Sequence, residues 1–130
     1  IIVGGIVIST IGISNVFVSS DLSYLCMTPQ MLDSISYNLI PVIAHDRAGF
    51  GSSLISVGLL VLMISLWGFR KGERWIWNTL AIGALPAFMA GIGTHLYIGY
   101  TTFIHLLPVY FLCVLYLLGL ILSYPFLKKE

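Results

Sequence analysis

The run WGFRKGERWIW, from Trp67 to Trp77, decides how this chain is read. Three Trp residues bracket the basic cluster Arg70, Lys71 and Arg74, and a stretch of about 20 apolar residues lies on either side, the length that crosses ~30 Å of hydrocarbon. Indole rings at a headgroup boundary and Lys/Arg in a short connection are the marks of a cytoplasmic turn between two membrane helices. Working outward, four apolar stretches meet that requirement: residues 1–20, 48–67, 75–96 and 103–124. None of them contains Asp, Glu, Lys or Arg.

Composition agrees. The chain has 130 residues, 58% hydrophobic and only 8% charged, far from the ~25% charged residues of soluble domains. The expected fold is all-α: an integral membrane four-helix bundle forming a single domain over residues 1–130, with no alternation that would suggest a barrel. A net charge of +1 excludes a nucleic-acid face, which needs a basic surface. The first residue is Ile1, inside an apolar run. The expectation is therefore that an N-terminal piece is missing and that the first run is a retained span, since it shows no basic flank or small-residue cleavage site.

Five of the six Lys/Arg residues, Arg70, Lys71, Arg74, Lys128 and Lys129, fall on one side of such a bundle. That side is expected to be cytoplasmic, and the 70–74 turn and the C-terminus lie there. Trp67, Trp75 and Trp77 should form the belt on this side, and Tyr97, Tyr100 and Phe103 the opposite one. The outer connection, Asp21 to Arg47, is too long to be structureless. Thr28 before Pro29 is a helix-start signal, and Met31, Leu32, Ile35 and Leu39 recur at helical spacing. A short extracytoplasmic interfacial helix, ended by Ile40 and Pro41, is expected there.

Helices in lipid associate through small residues. The faces expected to pack are Gly5, Ser9 and Gly12; Gly49, Ser52, Ser53 and Ser56; and Gly83, Ala84, Ala87, Ala90 and Gly91. Pro86 and Pro108 should bend their helices. Cys26 and Cys113 are expected to be unpaired.

All three histidines, His45, His95 and His105, are expected near the extracytoplasmic face. Neutral imidazole is a common ligand of zinc, copper and haem iron. Candidate metal ligands are therefore His45, His95 and His105. Candidate cofactor-binding residues are His95, His105 and Tyr116, whose hydroxyl shares the His105 helix face. His45, Asp46 and Arg47 form a polar cluster in which Asp46 can accept a ring proton and Arg47 can hold Asp46 or an anionic headgroup. The competing reading makes each ring an interhelical hydrogen-bonding group, with partners among Thr94, Tyr97, Tyr100, Thr101 and Thr102. No nucleophile elbow, phosphate loop or metalloprotease spacing is present.

Two function classes remain. One is a non-catalytic integral membrane subunit that packs beside or anchors a larger membrane complex, with the lipid bilayer and other subunits as partners. The other is a redox or ligand-binding membrane component holding a metal, haem, pigment or quinone near its histidines. The run Trp67 to Trp77 and the stretch HDRAGFGSSL, His45 to Leu54, resemble features of small bacterial four-helix membrane proteins, DoxX-like in size and layout. The resemblance covers the last two thirds of the chain. It implies four helices and a bacterial inner membrane, and it carries over no catalytic residue.

Overall fold

The computed structural model describes residues 1–128; Lys129 and Glu130 of the basic tail lie outside the described residues. Every regular element among them is helical: α1 (Ile2–Ser14), α2 (Ser19–Leu25), α3 (Pro29–Ile35), α4 (Leu39–Met63) with a π-helical extension (Ile64–Gly68), α5 (Arg74–Tyr97) and α6 (Phe103–Lys128). Three of them are long and apolar enough to cross a membrane: Leu39–Gly68, Arg74–Tyr97 and Phe103–Lys128. The last two match the expected spans to within a few residues. The chain divides into two compact units, Ile1–Leu59 and Leu60–Glu130.

The expected first span, residues 1–20, is not one helix. α1 stops at Ser14, and α2 leaves at a bend of 63°. At ~1.5 Å per residue, α1 alone is about 20 Å long and falls short of the hydrocarbon thickness; a fourth crossing requires α1 and α2 to count together as one broken span. The break is local. Val16 sits at φ 62°, a left-handed conformation that a β-branched residue rarely adopts, and its N–H bonds the Ile11 carbonyl at 2.7 Å. Val18 is extended and its N–H donates to the Asp21 carboxylate at 2.8 Å, which starts α2. Hydropathy records none of this, because every residue in the break except Asn15 is apolar.

The 21–47 connection is filled by α2, α3 and the start of α4. α3 begins as its sequence signals require: Thr28 accepts the Met31 N–H at 3.3 Å and Pro29 occupies the first turn. Ile40 and Pro41 do not end it. α3 stops at Ile35, where Ser36 turns extended, and Pro41 lies in the first turn of α4, where its missing N–H costs nothing. α4 therefore starts nine residues before the expected span and takes His45, Asp46 and Arg47 into the helix.

In the first unit, α1 packs on α4 by backbone approach. Gly5 and Gly12 are buried, and so are Gly51 and Gly58. A Cβ on Gly5 would stand 2.6 Å from the Gly51 carbonyl oxygen, and one on Gly12 would stand 2.8 Å from the Arg47 Cβ. Gly5 and Gly12 were expected on this face; Gly51, Ile55 and Gly58, rather than Gly49, Ser52, Ser53 and Ser56, supply the α4 side. Ser52, Ser53 and Ser56 are exposed and bond carbonyls of their own helix, and nothing lies within 4 Å of a Cβ on Gly49.

In the second unit, α5 and α6 run antiparallel through larger side chains. Ile76, Leu80 and Leu127 form the core, with Val61, Ile64, Trp77 and Leu120 around it. Trp77 turns toward α6: its indole N–H donates to the Leu120 carbonyl at 2.8 Å, its ring meets Tyr124 edge-on, and the Lys128 ammonium lies 4.8 Å from its centre. The 70–74 turn closes the same end, where the Gly72 N–H reaches the Phe126 carbonyl at 3.1 Å. Of the expected α5 stripe, Ala84 and Gly91 are half-buried, whereas Gly83, Ala87 and Ala90 are exposed.

Candidate functional site

The far end of the α5–α6 hairpin brings His95, Tyr100 and His105 together. α5 closes in a Schellman turn: the Gly99 N–H bonds the Leu96 carbonyl at 3.3 Å and the Tyr100 N–H bonds the His95 carbonyl at 3.0 Å. This turn needs a left-handed residue, and Gly99 supplies it at φ 75°. The reversal buries Tyr100, 7% exposed, which removes it from the expected aromatic belt. Tyr97 remains 91% exposed. α6 then starts at Phe103 and carries His105 back over the last turn of α5.

The three side chains form a chain of hydrogen bonds. His95 Nδ1 lies 2.6 Å from the Gly91 carbonyl oxygen, His95 Nε2 lies 3.2 Å from His105 Nε2, and the Tyr100 hydroxyl lies 3.0 Å from His105 Nδ1. A carbonyl can only accept, so His95 carries its proton on Nδ1. With both rings neutral, His95 Nε2 is then an acceptor, His105 donates from Nε2, and its Nδ1 accepts the Tyr100 proton. The polarity of the whole chain follows from one carbonyl. Tyr100 stacks on His105 with centroids 4.2 Å apart, and the His105 ring stands tilted by 40° to that of His95. Both imidazoles are half-buried.

Tyr116 stands elsewhere. It is eleven residues beyond His105, about 16 Å along the helix, and its hydroxyl donates to the Leu80 carbonyl at 2.9 Å while its ring meets Phe88. The hydroxyl at the histidines is that of Tyr100. The signal for it was Gly99, which marks the chain reversal that turns Tyr100 inward. Among the described residues no group of three or more His, Cys, Asp or Glu side chains is arranged to hold a metal ion. Cys26 and Cys113 are free thiols, as expected.

In the first unit the polar cluster is divided differently from its sequence order. His45 and Asp46 face each other at 3.3 Å with side chains 87% and 76% exposed, a pairing that contributes little in water. Arg47 turns away from Asp46 to Asp21, with Nη2 2.7 Å from the carboxylate, and its guanidinium lies 5.8 Å from the centre of the Phe17 ring. Asp21 is 4% exposed. One carboxylate thus accepts from both the α2 cap and α4. Sequence reasoning missed this pair, because Asp21 lies 26 residues from Arg47 whereas Asp46 stands next to it. Comparison of the chain with family models, curated proteins and solved structures finds no match.

Proposed function

We propose that this chain is a non-catalytic integral membrane subunit that packs beside, or anchors, a larger complex in a bacterial inner membrane. The DoxX-like layout belongs to the same proposal. One observation carries it. The small residues Gly83, Ala87 and Ala90, spaced four and three apart on α5, stay exposed, and a Cβ on Gly83 would meet nothing within 4 Å. Elsewhere in the chain, buried glycines are filled by an opposing backbone. In lipid an uncovered small-residue face is the surface on which another transmembrane helix gains close contact. In mild detergent the native assembly should exceed the 14.3 kDa of one chain, and Ala87→Leu should release the chain without changing its own melting. Native mass spectrometry showing only single chains from the source membrane would overturn the proposal.

The orientation proposed with it puts the 70–74 turn and the C-terminus in the cytoplasm. In its support, Arg70, Lys71, Arg74 and Lys128 gather at one end of the α5–α6 hairpin. Lys71→Cys and Ser34→Cys, each in a background without Cys26 and Cys113, should differ in intact cells. Position 34 should react with an impermeant reagent and position 71 should be protected, and the reverse pattern would invert the topology.

A further inference from the structure

We infer that His95 and His105 form a two-imidazole site for a divalent transition cation of the zinc type, bound in cis through the two Nε2 atoms. The separation of these atoms selects the geometry. Two metal–nitrogen bonds of ~2.05 Å that end 3.2 Å apart subtend about 103° at the metal, close to the tetrahedral angle. Ligands in line across one metal, as in bis-imidazole haem, would stand about 4 Å apart by the same bond length, so the pair is set for cis and against trans ligation.

The outer partners are also in place. A ligating imidazole usually donates its other N–H to a carbonyl or similar acceptor, which fixes tautomer and orientation. His95 does this already through Nδ1 and the Gly91 carbonyl. His105 reaches the same state by moving its proton from Nε2 to Nδ1, where it donates to the Tyr100 oxygen, with that hydroxyl turning its own proton away. No net proton is released. The cation then replaces the hydrogen bond between the two rings. His95 lies in the last turn of α5, where the helix presents its carbonyl end and favours positive charge. Two protein ligands leave two tetrahedral positions for water or for a ligand from outside the chain. The inference does not depend on the assembly proposed above.

The test uses the full chain in lipid nanodiscs, purified without a histidine tag and titrated with Co2+, then with competing Zn2+. One Co2+ per chain with the intense visible absorption of tetrahedral coordination is expected, displaced by Zn2+. His95→Gln and His105→Gln should each abolish it, and His45→Gln should leave it intact. Tyr100→Phe, which keeps both rings, should weaken binding ~10-fold or more, as loss of an outer partner does. Electron paramagnetic resonance of the Cu2+ form should count two imidazoles and needs no variant that must fold. Absent uptake, a single imidazole on Cu2+, or uptake lost in His45→Gln instead would each overturn the inference.

Discussion

The two units pack by opposite means. In the first, glycines let the backbones of α1 and α4 approach, so an added Cβ meets rigid backbone atoms as well as side chains. In the second, Ile76, Leu80, Leu127 and Trp77 fill the space between α5 and α6, and side chains can adjust their rotamers. The same apolar composition therefore produces two tolerances. A backbone seam is disrupted when a side chain is added, whereas a side-chain seam weakens by increments as atoms or single hydrogen bonds are removed.

The largest effect should come from Gly51→Leu, since a Cβ there would stand 2.6 Å from the Ser9 backbone nitrogen and 2.7 Å from the Gly5 carbonyl oxygen. Overpacking usually costs ~1 to 3 kcal/mol, and a rigid backbone neighbour places this case at ~3 kcal/mol or above. Gly49→Leu, two positions away, should change thermal stability in detergent by less than ~0.5 kcal/mol, the range of a substitution that meets no neighbour. Equal losses at the two sites would break the comparison by removing the backbone seam from α4.

Next comes the ion pair that ties α2 to α4. Breaking a fully buried pair costs ~3 to 5 kcal/mol, and the partial exposure of Arg47 reduces this to ~2 kcal/mol for Asp21→Ala. Adding Arg47→Met should recover part of that loss, because the stranded guanidinium disappears. A double-mutant cycle in denaturant checks it; strict additivity would show that the pair contributes no coupling.

The smallest effect sharpens the picture of the second unit. Tyr116→Phe removes one bond, to the Leu80 carbonyl, and leaves the ring against Phe88. Its cost should lie near the ~0.6 kcal/mol average of interhelical hydrogen bonds in membranes. A loss several times larger would mean that the seam depends on that hydroxyl rather than on the Ile76, Leu80 and Leu127 core.

Much of the candidate site was readable from residue spacing. His95 and His105 lie on either side of Gly99, and α5 and α6 must reverse between them, so their proximity follows from two spans and one short turn. Tyr100 was legible as a partner type, but not as the particular hydroxyl on His105 Nδ1. That choice depends on a left-handed Gly99 and on which way the chain leaves it. Trp77 was the reverse case: its position beside Arg74 suggested a belt, but the Leu120 carbonyl, 43 residues away, accepts its N–H.

By itself the sequence determined the all-helical, membrane-type character, the extents of α5 and α6, the start of α3 and the gathering of basic residues, because each depends on composition or on neighbours within a few positions. Only the tertiary structure decided that Arg47 serves Asp21 instead of Asp46, that Gly51 and Gly58 rather than Gly49 meet α1, and that residues 1–20 bend near Val16. The first two outcomes depend on which face of a helix meets another chain segment, and the bend on a left-handed Val16 that hydropathy does not record. A one-residue step turns an α-helix by about 100°, and mean hydropathy is blind to that rotation.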